Sequence, residues 1–256
     1  MAVPQSVELI APPAWRTAEF ISDLHLSEND QATFVAWRQY MQNTAADAVF
    51  ILGDLFEVWV GDDLVASDPA SFEAQCADVL RQTSKRLPVF FMHGNRDFLL
   101  GQGLMDLCHA TLLADPTVLV FRQQRWLLSH GDALCLADVD YMQFRALVRT
   151  TEWQKNFLSK PLTERRAIAR QLRQQSEARK QSGADYADLD ADETRQWLQA
   201  AGANTLIHGH THKPARHDLG GGLGRVVLSD WDATATPPRA EVLQLSADGL
   251  KRIRQL

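Results

Sequence analysis

Five times along the chain a short apolar run stops at a cluster of carboxylates, imidazoles or amides. Glu19-Phe20-Ile21 runs into Ser22-Asp23-Leu24-His25, Val49-Phe50-Ile51-Leu52 into Gly53-Asp54-Leu55, and Val89-Phe90-Phe91-Met92 into His93-Gly94-Asn95-Arg96-Asp97. Later, Trp126-Leu127-Leu128 meets Ser129-His130-Gly131-Asp132, and Thr205-Leu206-Ile207 meets His208-Gly209-His210-Thr211-His212. Apolar runs of this length read as buried strands. In α/β folds, ligands gather beyond the carboxyl ends of strands, so five such ends can share one site.

Helix-like stretches at about 31–43 and 71–86 separate the early runs, a βαβ rhythm that predicts parallel pairing. Segments at about 111–129 and 215–245 alternate or run apolar between Gly and Pro breaks and read as antiparallel strands. The expected core is two sheets with helices outside, built by one domain over 1–256, a length that suits a single core. From about 138 to 200 the strand pattern stops. Tyr141, Phe144 and Val148 fall at helical spacing, Trp153, Phe157, Leu158 and Leu162 follow, and Ile168 and Leu172 are again at i, i+4, so 138–200 is expected to be a helical insertion.

No run of about 18 apolar residues occurs and the start lacks a basic segment followed by an apolar one, so a cytosolic, non-spanning chain is expected. Cys76, Cys108 and Cys135 show no CxxC spacing and fit a reducing compartment. The net charge of −6 conceals a block from Arg149 to Lys180 with nine Lys or Arg against three Glu. Such a block is either a solvated helical face or, beside bulky apolar residues, a face for anionic lipid. The overall acidity argues against a nucleic-acid partner.

Carboxylate, imidazole and amide oxygen together suit divalent ions such as Mn²⁺, Fe²⁺ or Zn²⁺ in a catalytic site. In an extended segment Asp-x-His would put Asp23 and His25 on one face. Each cluster alone is unremarkable: Gly-Asp is a common turn and a lone His is usually a satisfied polar residue. Five in order, each after an apolar run, are not.

In that order the residues resemble the signature of calcineurin-like metallophosphoesterases: Asp-x-His, Gly-Asp, Gly-Asn, a strand-end His, and Gly-His-x-His. The resemblance implies an α/β (α+β) four-layer αββα fold with a double β-sheet core, and two ions bridged by Asp54. It implies that Asp23, His25 and His210 complete the shell of one ion and Asn95, His130 and His208 that of the other, leaving His93 and His212 outside. Where the wider family carries a His after Gly-Asn, this chain has Arg96. An arginine does not give up its proton, but it holds a phosphate bidentately, which suits a leaving group that needs no protonation, as in a pyrophosphate.

Gly53 through Asp63, His93 through Leu100, and Ser129 through Cys135 with Asp138, Tyr141, Phe144 and Arg145 resemble the UDP-2,3-diacylglucosamine pyrophosphohydrolase family of lipid A synthesis. That resemblance implies two Mn²⁺ ions, attack of water on the α-phosphorus, and release of UMP and 2,3-diacylglucosamine 1-phosphate. Asp54, Asn95, Arg96 and His130 would be catalytic, and Asn95, Arg96, Asp138, Ser176, Lys180 and His208 would contact the UDP-linked lipid. The insertion would be a lid over the acyl chains, with the protein peripheral to the cytoplasmic face of the inner membrane and without an obligate protein partner. The rivals are another dinuclear phosphodiesterase, a nucleotide or nucleic-acid phosphatase, and a non-catalytic scaffold of the same fold.

Overall fold

Along Ala48–Leu52 every residue is buried, yet neighbours face opposite ways. Ala48, Phe50 and Leu52 pack with residues of a second sheet, whereas Val49 and Ile51 pack beneath helices. A strand covered on both faces has no polar side to show, which is why these segments read as continuous apolar runs. The computed structural model describes residues 4–181 and 187–256, the backbone alone over 175–181.

Among the described residues the strands are β1 (Val7–Ile10), β2 (Ala18–Ile21), β3 (Ala48–Leu52), β4 (Val89–Met92), β5 (Thr111–Leu113), β6 (Thr117–Phe121), β7 (Gln124–Leu128), β8 (Thr205–His208), β9 (Arg216–Gly220), β10 (Leu223–Val227), β11 (Glu241–Ser246) and β12 (Gly249–Arg254). One six-stranded sheet has the order β12-β11-β2-β3-β4-β5 and the other β1-β6-β7-β8-β10-β9. β2, β3, β4 and β5 are parallel, as are β7, β8 and β10, while β11, β12 and the β6–β7 hairpin supply antiparallel pairs. The carboxyl ends of β2, β3 and β4 therefore open onto one edge of their sheet.

The helices are α1 (Gln31–Asn43), α2 (Asp63–Ser67), α3 (Phe72–Ser84), α4 (Gln102–Cys108), α5 (Val139–Val148), α6 (Thr151–Leu158), α7 (Leu162–Gln181) and α8 (Ala191–Ala201). Trp37 and Met41 of α1, Cys76 and Leu80 of α3, and Leu104 and Met105 of α4 cover the outer face of the first sheet. Trp197 and Leu198 of α8 cover Val118, Leu127 and Leu206 on the outer face of the second. Between the sheets lie Phe20, Phe50, Phe90, Leu119, Leu128 and Ile207. The order is helix, sheet, sheet, helix, the four layers expected.

Helix starts follow local chemistry where a cap is adjacent: Asp30 accepts from Thr33 N at 3.0 Å and Ser71 from Ala74 N at 3.1 Å. α4 lacks such a neighbour. Its first turn is held by Asp62, which accepts from Gly101 N at 2.9 Å and Leu104 N at 2.8 Å and also takes the Trp59 indole N–H at 3.0 Å. The short α2 and α4 lack the length for a visible period, and neither is foreshadowed by the sequence.

Within 138–200, α7 is tied to the body by Arg165, buried to 3% exposure, which pairs with Asp63 and donates to Val60 O. Trp153 stacks on Phe157 at 4.9 Å, and both pack with Ile168 onto the helical side of the first sheet, while Leu158 is exposed. The last helix of the segment, α8, is one of the four layers.

Phe50 lies fully buried between Phe90, stacked at 4.6 Å, and Phe20, stacked at 5.1 Å. Phe50→Ala should cost about 3–5 kcal/mol, seen as a lower denaturant midpoint at unchanged slope; a loss below about 1 kcal/mol would mean that the layer between the sheets can collapse into the gap.

Candidate metal centre

Asp54 follows β3 at 2% exposure, and its Oδ1 accepts the backbone N–H of Arg96 at 2.8 Å. The loop after β4 comes this close only because residue 94 is glycine: a Cβ there would sit 2.0 Å from Asp54 Oδ1. Asp97, fully buried, clasps the two loops by accepting from Gly94 N at 2.8 Å, Leu55 N at 2.8 Å and Asp54 N at 3.3 Å. Burial, with the Asp54 charge beside it, pushes the Asp97 carboxyl up to about 7.

His130 enters from the end of β7. Its Nδ1 donates to Leu52 O at 2.9 Å, so Nε2 points into the site, 3.2 Å from Asn95 Oδ1 and 3.7 Å from Asp54 Oδ2. A ring nitrogen whose proton is spent elsewhere thus faces two oxygens, an arrangement that demands a second proton or a cation between them. Burial opposes a charge on His130, but Asp54, Asp23 and Asp132 outweigh it and hold its pKa up at about 9.

The second grouping sits beside the first. His25 Nε2 and His212 Nε2 are 3.1 Å apart, and Asp23 Oδ1 is 3.3 Å from His212 Nε2. Glu57 Oε2 lies 3.3 Å from His25 Nδ1, the far side of the ring. Asp23 is held from below by Ser22 Oγ at 2.5 Å and by His210 N at 2.9 Å. Burial opposes the Asp23 charge, yet His212, His130 and His25 keep its pKa well below the usual range.

Ligand atoms of Asp23, Asp54 and His130 fall within 4.8 Å of one another, as do those of Asp23, His25 and His212. Asp23 belongs to both sets. The donors are oxygen and nitrogen throughout, and the three cysteines are buried elsewhere, so the residues fit two neighbouring divalent ions of intermediate softness.

The backbone makes an unusual commitment here. Asp23, His25, Asp54, His210 and His212 all have φ between 49° and 69°, the left-handed region that non-glycine residues avoid. Strain of this kind, about 1–3 kcal/mol per residue, persists only where surrounding structure over-determines it. Asp23 and His25 therefore do not share a face of an extended strand, as their spacing suggested. The strand ends at Ile21, and left-handed turns bring the two side chains together.

The histidine-rich loop is also arranged differently from expectation. His208 is still in β8, two residues on from Leu206, so it faces the outer side with Leu206 and not the site with its neighbours. Its Nδ1 donates to Gly209 O at 2.8 Å and its Nε2 accepts from Arg225 Nη1 at 3.2 Å, leaving no lone pair for an ion. His210 Nδ1 instead comes within 2.9 Å of Asn95 Oδ1, and His212 joins Asp23 and His25. In this geometry the ring nitrogens of His210 and His212, and not those of His208, stand beside the other site residues. Burial and the charge of Arg225 take the His208 pKa down to about 3.

Of the remaining candidates, Arg96 lies near enough to His25 that burial and the arginine's charge both lower that imidazole's pKa, and the Arg96 Nε is buried and without a hydrogen-bond partner. Asp138 Oδ1 caps α5 by accepting from Tyr141 N at 3.1 Å. His93 Nε2 donates to Leu100 O at 2.6 Å and stays outside both sets. The side chains of Ser176 and Lys180 lie outside the described residues. Asp97, Glu57 and His212 had no assigned role in the sequence; the one local hint was the every-second-residue histidines, whose direction depends on where β8 stops.

Residues 20–214 match the family model described as calcineurin-like phosphoesterase. A UDP-2,3-diacylglucosamine hydrolase of Chromobacterium violaceum is 47% identical over 221 residues, covering 83% of this chain and 89% of that one. Proteins of the same name from Cellvibrio japonicus and Bordetella pertussis are 44% and 41% identical, covering 85% and 93% of this chain and 95% and 93% of their own lengths.

If both ions share Asp54, Asp54→Asn should lower bound metal from two equivalents to less than one while the chain stays folded. His212→Ala should lose about one equivalent, and His208→Gln should keep both. Metal analysis that finds His208→Gln depleted and His212→Ala full would return the ligand to residue 208.

Proposed function

The chain belongs to the calcineurin-like phosphoesterase family, and we propose that it hydrolyses the pyrophosphate bond of UDP-2,3-diacylglucosamine, giving UMP and 2,3-diacylglucosamine 1-phosphate in lipid A synthesis. Relatives bearing that activity in their names match it over most of their length at up to 47% identity. The observation that carries the chemistry is the convergence of Asp23, Asp54 and His130 on one point beside Asp23, His25 and His212.

Asp23, His25, Asp54 and His212 would hold one ion, and Asp54, Asn95, His130 and His210 the other, with Mn²⁺ as the metal. Bound, the pair supplies Lewis-acid stabilisation of charge at phosphorus and acidifies water. Ligating imidazoles must be neutral: burial lowers the pKa of His25, and burial with the charge of His130 takes that of His210 to about 4, whereas at His130 the surrounding carboxylates outweigh burial and hold a proton that a cation would have to displace. Leu52 O keeps the His130 proton on Nδ1, and Asp97 holds Asn95 and Asp54 in register by fixing the loops that carry them.

Arg96 binds the leaving phosphate. Its backbone is pinned to Asp54 and its Nε is buried and unpartnered, so a phosphate oxygen would satisfy a donor that is costly to leave bare. A phosphate leaving group needs no proton, which fits an arginine in place of a general acid.

None of the described helices is long and apolar enough to cross a membrane. A peripheral position on the cytoplasmic face of the inner membrane is supported by Val139, Leu147 and Leu158, exposed on α5 and α6 beside the basic block. Asp138, Ser176 and Lys180 remain proposed substrate contacts.

In ¹⁸O-water the label should enter UMP, because attack falls on the α-phosphorus, and EDTA should abolish turnover that Mn²⁺ restores. Label in the sugar phosphate, or hydrolysis only of simple phosphodiesters, would favour a different dinuclear phosphodiesterase.

Arg96→Ala should lose charge-assisted hydrogen bonds of about 1.5–3 kcal/mol each, roughly tenfold to hundredfold in kcat/KM per bond. Arg96→Lys should recover part of this, and Arg96→His should fall on the UDP-lipid while holding or gaining on esters with alkoxide leaving groups. Parent-like rates for all three would remove Arg96 from the phosphate site.

A further inference from the structure

Helix α5 buries only one side chain, Val148, while Val139, Phe144 and Leu147 on it are exposed. Helices of this length are usually fixed by an apolar stripe packed on a core, so something else must set the position of α5. A polar stripe does. Tyr141, Arg145 and Arg149 recur every four residues along the helix and its C-cap, and all three turn to one carboxylate, Asp132, which is fully buried just beyond β7. Tyr141 Oη donates to Asp132 Oδ2 at 2.6 Å, Arg145 donates through Nε at 2.8 Å and Nη2 at 3.4 Å, and Arg149 Nη2 lies 3.8 Å away. Burial opposes ionisation of Asp132, but Arg145, His130 and Arg149 overcome it and hold its pKa far below the ordinary carboxylate range.

The same side chains reach on into the site. The Tyr141 ring lies nearly parallel to that of His210, 6.0 Å between centroids at 28°. Arg149 Nη2 donates to Gly94 O at 2.8 Å, one residue before Asn95, and its guanidinium sits 5.1 Å over the Phe98 ring. One carboxylate after β7 thus sets how far α5 stands from the loops after β4 and β8.

We propose that Asp132 is a positioning residue for the reaction: it fixes α5 as the wall against which the lipid half of the substrate is oriented, acting through Tyr141 and Arg149. This rests on the lipid-pyrophosphate activity proposed above. Both carboxylate oxygens of Asp132 are taken up by Tyr141 and Arg145. Because α5 would hold the lipid half and not the reacting phosphorus, loosening it removes binding shared by ground state and transition state, and is read in how substrate is held and not in whether the ions bind.

The test uses the Mn²⁺-loaded protein with Asp132→Asn and, from the helix side of the same contact, Arg145→Met. Both should keep two ions per chain, raise KM for UDP-2,3-diacylglucosamine by about tenfold or more, and change kcat by less than about threefold. Amide exchange over 139–149 should quicken at least about tenfold, while 48–56 and 89–92 stay as in the parent. The double variant should be no worse than the poorer single, because both break one network. Unchanged exchange in α5, or kcat falling while KM holds, would overturn the proposal. Should Asp132→Asn fail to fold, Arg145→Met decides alone by the same measurements. Exchange needs no substrate, so a parent protein that leaves the UDP-lipid intact would sink the substrate assignment while the role of Asp132 in placing α5 is still decided.

Discussion

At the centre of this molecule, imidazole nitrogens crowd against one another and against carboxylate and amide oxygens. His130 Nε2 meets Asn95 Oδ1 and Asp54 Oδ2, and His212 Nε2 meets His25 Nε2 and Asp23 Oδ1, all at 3.1–3.7 Å. Such contacts are repulsive unless a proton or a cation sits between them, and a buried group left so costs several kcal/mol by the usual penalty for an unpaired polar atom. The double sheet sustains the arrangement. Each residue of the group stands one to four positions beyond a strand whose sides are both packed, so the strand cannot slide to relieve the contact. The left-handed turns, Gly94 against Asp54 and the Asp97 clasp convert that rigidity into a fixed approach of the loops.

Much of this was legible in the chain, for a definite reason. Strand segments buried on both faces are mostly apolar, so β2, β3, β4, β8 and the last residues of β7 announce themselves, and the polar residues that end them stand out by contrast. Helices α1 and α3 were legible because Asp30 and Ser71 cap them from an adjacent position. The short α4 was not, since its cap, Asp62, is some forty residues upstream. At the site, type and order pointed to Asp23, His25, Asp54, Asn95 and His130, which the fold brings close together. The histidine loop was less legible, because His208, His210 and His212 are equivalent by spacing, and their directions in the structure depend on β8 continuing through His208, with Leu206 and Ile207 facing opposite layers.

Charge counting misjudged the helical segment for a related reason. The nine basic residues between 149 and 180 suggest an exposed positive face, yet Arg149 reaches Gly94, Arg165 is buried against Asp63 and Arg173 pairs with Glu57. A formal charge says nothing of direction, and arginine spends its charge inward when a carboxylate or carbonyl waits there.

The pairing of β2 with β11 has a consequence for how the chain comes into being. Phe20 lies opposite Leu243, and Gln244 donates to Glu19 across the same pair at 2.9 Å. A strand that carries Asp23 to its place is thus flanked by residues made more than two hundred positions later. During synthesis β2, β3 and β4 can associate early, but β2 keeps an unpaired edge, backbone donors and acceptors bare, until β11 emerges. Bringing such distant segments together is slow compared with local folding. The nascent chain therefore carries a sticky, half-built sheet through most of its translation, and the region after Glu241 acts as its closing seam.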